Sequence, residues 1–68
     1  MSMNPDIAAH YRRVADHKKL MSLARAWVKK GRGPLSFVDS VNRMWPTGFD
    51  RLGRDRVLDA WYLAEGGF

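Results

Sequence analysis

The sequence predicts an all-α protein: one helical domain over residues 1–68 with three helices, a long one over about 5–30 and two shorter ones over about 35–45 and 54–64. Three observations carry this. No Gly or Pro interrupts the run from Asp6 to Lys30. Apolar residues recur at spacings of three and four between the breakers, as a helix buried along one face requires. The breakers themselves (Gly31 to Pro34, Pro46 to Gly53, Gly66-Gly67) fall where helices must end.

The first helix opens at Asn4-Pro5-Asp6. Asn caps free amides, Pro is tolerated at the first helical position, and Asp complements the positive end of the helix dipole. Lys29 and Lys30 sit at the negative end, and Gly31 suits a left-handed cap. At 1.5 Å per residue the helix spans about 39 Å, more than a domain of this size needs. Its apolar residues do not form one stripe. Ile7, Tyr11, Val14 and Ala15 line one side of the first half, whereas Leu20, Met21, Leu23, Ala24, Trp27 and Val28 line another side of the second, a third of a turn or more away. The changeover falls at Asp16-His17-Lys18-Lys19. With no strong breaker there, the reading is a continuous helix whose halves face different partners, which predicts a homodimer contact through Ile7, Tyr11 and Val14.

Gly31 to Pro34 is a tight connection. The second helix is opened either by Pro34 or by Ser36 with Asp39 three places on, in capping-box spacing. Phe37, Val38, Val41, Met44 and Trp45 share one face, and the helix stops at Trp45 because the residue before Pro46 is pushed out of helical geometry. Thr47 to Gly53 reads as a loop pinned by Phe49 and Leu52. The third helix buries Val57, Leu58, Trp61 and Tyr62. The expected shared core is Trp27, Val28, Phe37, Val41, Trp45, Leu58 and Trp61.

Sixty-eight residues leave a thin stability margin, and the absence of Cys and of paired His excludes both disulfides and a structural zinc site. A partner or a second copy is the expected support. No stretch approaches the roughly 20 apolar residues of a membrane span, and the first residues lack a signal-peptide layout, so the expectation is a cytoplasmic protein with no membrane partner. Net charge is +5, but residues 1–34 carry eight Lys and Arg against Asp6 and Asp16, and the remainder is slightly acidic. The positive field belongs to the first half, where it steers toward nucleic acid or an acidic protein surface.

Nothing in the chain makes a catalytic constellation, so no enzyme activity and no cofactor are expected. There is no thiol to activate. His10 and His17 fall on one side of the long helix but about 10.5 Å apart along its axis, too far to hold one metal ion. Asp50, Asp55 and Asp59 interleave with Arg51, Arg54 and Arg56 as surface ion pairs would. Gly31-Arg32-Gly33 lacks the strand and the Lys-Ser/Thr ending of a phosphate loop. Lys30-Gly31-Arg32-Gly33-Pro34 resembles the Arg-Gly-Arg-Pro core of the minor-groove AT-hook over three or four residues, yet the second arginine is missing, and a helix connection explains it better. Helices two and three do not form a helix-turn-helix, because their connection is too long and the third helix is acidic.

Two surfaces remain. Lys18, Ser22, Arg25 and Lys29 form one stripe, extended by Lys30 and Arg32, that can track a phosphate backbone. Tyr11, flanked by Arg12 and Arg13, and the loop residue Phe49 are the exposed aromatic and arginine positions that protein interfaces favour. The leading expectation is a small adaptor or inhibitor that engages an acidic protein surface through the basic, aromatic face of the first helix and is a homodimer. A nucleic-acid-binding module using the basic stripe, and a structural subunit of a larger assembly, are the alternatives.

Overall fold

A computed structural model describes the backbone of residues 5–67 and the side chains of residues 7–67. Asn4 and Phe68, and the side chain of Asp6 expected at the helix dipole, lie outside the described residues. The described chain is all-helical. Its helices are α1 (Pro5–Lys29), α2 (Pro34–Met44), α3 (Pro46–Leu52) and α4 (Arg54–Glu65), one more than the sequence predicts.

The long helix runs without a break through Asp16 to Lys19. It ends as expected: Gly31 takes φ 74°, a left-handed conformation open to glycine, and its amide donates to the Val28 carbonyl at 2.9 Å. α2 is opened by Pro34 at its first position, after Gly33. The Ser36–Asp39 capping box does not form. The Ser36 hydroxyl instead donates to the Gly33 carbonyl at 2.9 Å, and Asp39 pairs with Arg43 one turn on at 3.0 Å.

The additional helix replaces the expected loop. Pro46 does end α2, and Trp45 leaves helical geometry at φ −143°, but the same proline then serves as the first residue of α3. Trp45 thus caps two helices: its amide donates to the Val41 carbonyl at 2.8 Å, and its carbonyl accepts from the Phe49 amide at 2.9 Å. Gly48 is buried under the Trp45 indole, so close that a β-carbon there would fall inside the ring. That close approach is why a glycine sits within a helix at this point.

The core consists of Leu20, Met21 and Ala24 from α1, Phe37, Val38 and Val41 from α2, and Val57 and Ala60 from α4. α4 packs on both α1 and α2, so it joins them rather than lying beside α2 along the long helix. The tryptophans rim this core. Trp27 donates its indole N–H to the Ser36 hydroxyl at 3.2 Å, and Trp61 donates to the Arg32 carbonyl at 2.9 Å, tying the α1–α2 connection to α4. Of the expected core, Phe37 and Val41 are fully buried, whereas Trp27, Trp45, Leu58 and Trp61 are half-buried against it. Val28 is half-buried outside the cluster, and Met44 and Tyr62, expected on apolar faces, are exposed. Smaller residues occupy the centre, whereas the Trp27 and Trp61 indoles stay at the rim, where their N–H groups reach acceptors.

Candidate docking surface on the long helix

At about 100° per residue, the apolar stripe of the first half of α1 and the core-facing stripe of the second lie roughly 140° apart. The inner face of the carboxyl half seals the core through Leu20, Met21 and Ala24. The outer face of the amino half is uncovered: Ile7 is 48%, Tyr11 62% and Val14 38% exposed. Lys18, Ser22, Arg25 and Lys29 continue that outer face at the same four-three-four spacing, and every one of them is exposed. A single solvent-facing stripe therefore runs along α1, apolar over its first half and basic over its second.

The inner face of the amino half is equally distinct. Asp16, which the sequence marks only as part of a changeover, is the innermost residue there and 8% exposed. It accepts two hydrogen bonds from Arg51 of α3, from Nε at 2.9 Å and from Nη2 at 3.0 Å. The pair is charge-assisted and bidentate, the geometry in which arginine holds a carboxylate most firmly. The Arg51 hydrogen bond holds the Asp16 carboxyl below its usual 3.8 against the opposing effect of burial, with Arg12 and Lys19 adding to the attraction. One signal for this pair lay in the sequence: Asp16 stands four residues before Leu20, on the face that Leu20, Leu23 and Trp27 bury, and an acid on an apolar face requires a partner. Arg51 itself was expected to pair with its acidic neighbours. It pairs instead across the fold, and Asp50, Asp55 and Asp59 form no ion pair among the described residues.

Above this pair opens a cleft of about 300 Å³ between α1 and the α3–α4 corner. Arg12 and Arg13 of α1 flank it, Arg51 and Arg56 face them, and Ala9 and Leu52 supply apolar wall. Arg56 is a member that sequence reasoning missed, since nothing local connects it with a helix forty residues earlier.

The expected partner-binding group does not come together as one patch. Tyr11 lies on the outer face of α1, with its ring 6.1 Å from that of His10. Arg12 and Arg13 turn toward the cleft. Phe49 is half-buried against the core and lines a separate depression with Leu35, Val38 and Arg54. Among the basic residues, Lys30 and Arg32 are both exposed, and the Arg32 guanidinium lies 4.9 Å from the Trp27 ring. Lys19, near the changeover, lies 4.5 Å from the Trp45 ring. No helix among the described residues is long and apolar enough to cross a membrane. No protein-family model, curated protein or solved structure matches this chain.

Proposed function

We propose that this chain is a small non-enzymatic binding protein of the cytoplasm that docks the amino half of α1 on an acidic protein surface, as an adaptor for its target or an inhibitor of it. The observation that carries the reading is that half of the longest helix contributes nothing to the core. It presents an aromatic and aliphatic stripe on one side and arginines on the other, the residue types that dominate binding energy at interfaces. The net charge of +5 favours an acidic target and speeds encounter with it.

A homodimer through Ile7, Tyr11 and Val14 is part of the proposal, with a constraint on its geometry. Lys18, Arg25 and Lys29 extend the same stripe, and two copies aligned in parallel along it would bring these charges together. Only an antiparallel overlap of the amino halves avoids that repulsion.

The test is a pulldown from the native cytoplasm, with and without nuclease, using wild type, Tyr11→Ala and Arg12→Glu. A protein that survives nuclease and is lost with both variants supports the reading. Loss of every captured species on nuclease treatment contradicts it.

A second reading, nucleic-acid binding through Lys18, Ser22, Arg25, Lys29 and Lys30, is favoured by their uninterrupted exposure on one stripe. It requires salt-steep binding to unrelated DNA or RNA sequences, weakened alike by Arg25→Glu and Lys29→Glu.

A further inference from the structure

We propose that the arginine cleft between the amino half of α1 and the α3–α4 corner is an anchor site for a single carboxylate side chain of an acidic partner peptide. The inference rests on the docking function proposed above and adds to it the place and chemistry of the anchor.

Charge is the first argument. Four guanidiniums line the cleft with Asp16 as the one acid among its lining residues, so the site carries a surplus of three positive charges. Like charges gathered on one cleft repel, and an incoming anion relieves that repulsion while gaining charge-assisted hydrogen bonds. Among the described residues, Arg12, Arg13 and Arg56 form no ion pair.

Geometry is the second. Asp16 engages Arg51 through Nε and Nη2, which fixes the guanidinium plane. An arginine has five N–H donors, so Nη1 and the second Nη2 hydrogen of Arg51 stay available to an acceptor. Asp16 is thus a positioning residue. It holds Arg51 in one orientation, and preorganisation of this kind lowers the ordering cost of binding.

Size and lining are the third. About 300 Å³ holds a carboxylate with its methylene stem, and Ala9 and Leu52 offer that stem an apolar wall.

The experiment is a fluorescence-anisotropy titration of a labelled oligoglutamate peptide at physiological salt, with NMR of the arginine side chains and of Ile7, Tyr11 and Val14 as a second readout. Arg12→Gln and Arg56→Gln remove charge from the cleft; Arg25→Gln and Lys29→Gln remove the same charge from the outer stripe. All four sites are exposed, and thermal melts verify folding. The expected result is a loss of about tenfold or more for each cleft variant and less than about twofold for each stripe variant, with the Nε–H signals of Arg12, Arg51 and Arg56 shifting on binding.

Equal losses in both pairs would mean a diffuse field, and shifts confined to Ile7, Tyr11 and Val14 would mean docking on the outer face. Either overturns the anchor while leaving the docking function standing. Inorganic phosphate that fills the cleft and displaces the peptide would reassign it to a free oxyanion. Absence of peptide binding, with short duplex DNA bound instead, would remove both the anchor and the function it rests on.

Discussion

The two halves of α1 are one uninterrupted helix and yet do opposite work. From Leu20 onward the inner face is sealed into the core, and the outer face is a solvated basic stripe. Before Asp16 the inner face looks onto an arginine cleft, and the outer face is apolar and bare. Helix propensity alone cannot explain why the amino half stays straight, since isolated helices of roughly that length are marginal in water. It is continued from a packed segment and tied down at the junction by Asp16 and Arg51. In a chain this short, one helix extends beyond what the core uses, and an ion pair between the buried Asp16 and the more exposed Arg51 marks where the core stops.

The largest expected effect breaks the comparison at its core end. Leu20→Ala removes a fully buried side chain and should cost about 2–5 kcal/mol, enough to leave a small domain largely unfolded. Val14→Ala, two turns earlier on the outer face, should change stability by no more than about 0.5 kcal/mol. Paired denaturant titrations measure both, and equal costs would mean the halves are not different in kind.

Next is Gly48→Ala, at a cost of about 1–3 kcal/mol from overpacking, because a β-carbon there must displace the Trp45 ring. Lys19 and Arg51 both lie over that ring, at 4.5 and 6.0 Å, so the disturbance should reach the junction of α1. Tryptophan fluorescence together with thermal melts reports it. A variant as stable as wild type would show that α3 has room to move.

Asp16→Asn keeps the shape and removes the charge, and should lower the melting midpoint by on the order of 5 °C. Acid should do the same. A carboxyl held below its ordinary value contributes stability that is complete above about pH 4 and is lost as the pH falls through the lowered folded value. Wild type should therefore show an acid-dependent drop below about pH 4 that is smaller in Asp16→Asn. Identical acid profiles would remove the pair from the account of stability.

The smallest effect on stability and the sharpest on assembly belongs to Val14→Asp. The fold should be unchanged within about 0.5 kcal/mol, while light scattering at high micromolar concentration should show a dimer for wild type and a monomer for the variant. A monomeric wild type would end the dimer proposal.

Much of this was legible in the sequence. The long helix, its left-handed end at Gly31, the change of apolar side near Asp16, and the exposure of Ile7, Tyr11 and Val14 all follow from breaker positions and helical periodicity, which are local properties. What was not legible depends on contacts between distant segments. Thr47 to Gly53 reads as a loop because Thr, Gly and Asp are poor helix formers. It is helical because Pro46 starts it and Gly48 lets it lie against Trp45. Arg51 has acidic neighbours close in sequence, and nothing local signals that it pairs across the fold. Once that pairing is known, the cleft and the role of Arg56 follow. Phe49 illustrates the reverse error, since an aromatic assigned to a loop looks exposed until the loop becomes a helix packed on the core.

Amide hydrogen exchange along α1, compared between wild type and Asp16→Asn, tests the central claim most directly. The expected profile is stepped: near-global protection from Leu20 to Val28, weaker but clear protection from Tyr11 to Ala15, and in the variant a collapse of the amino half alone. Uniform protection along the whole helix in both proteins would contradict it, because the amino half would then be held by something other than the junction at Asp16.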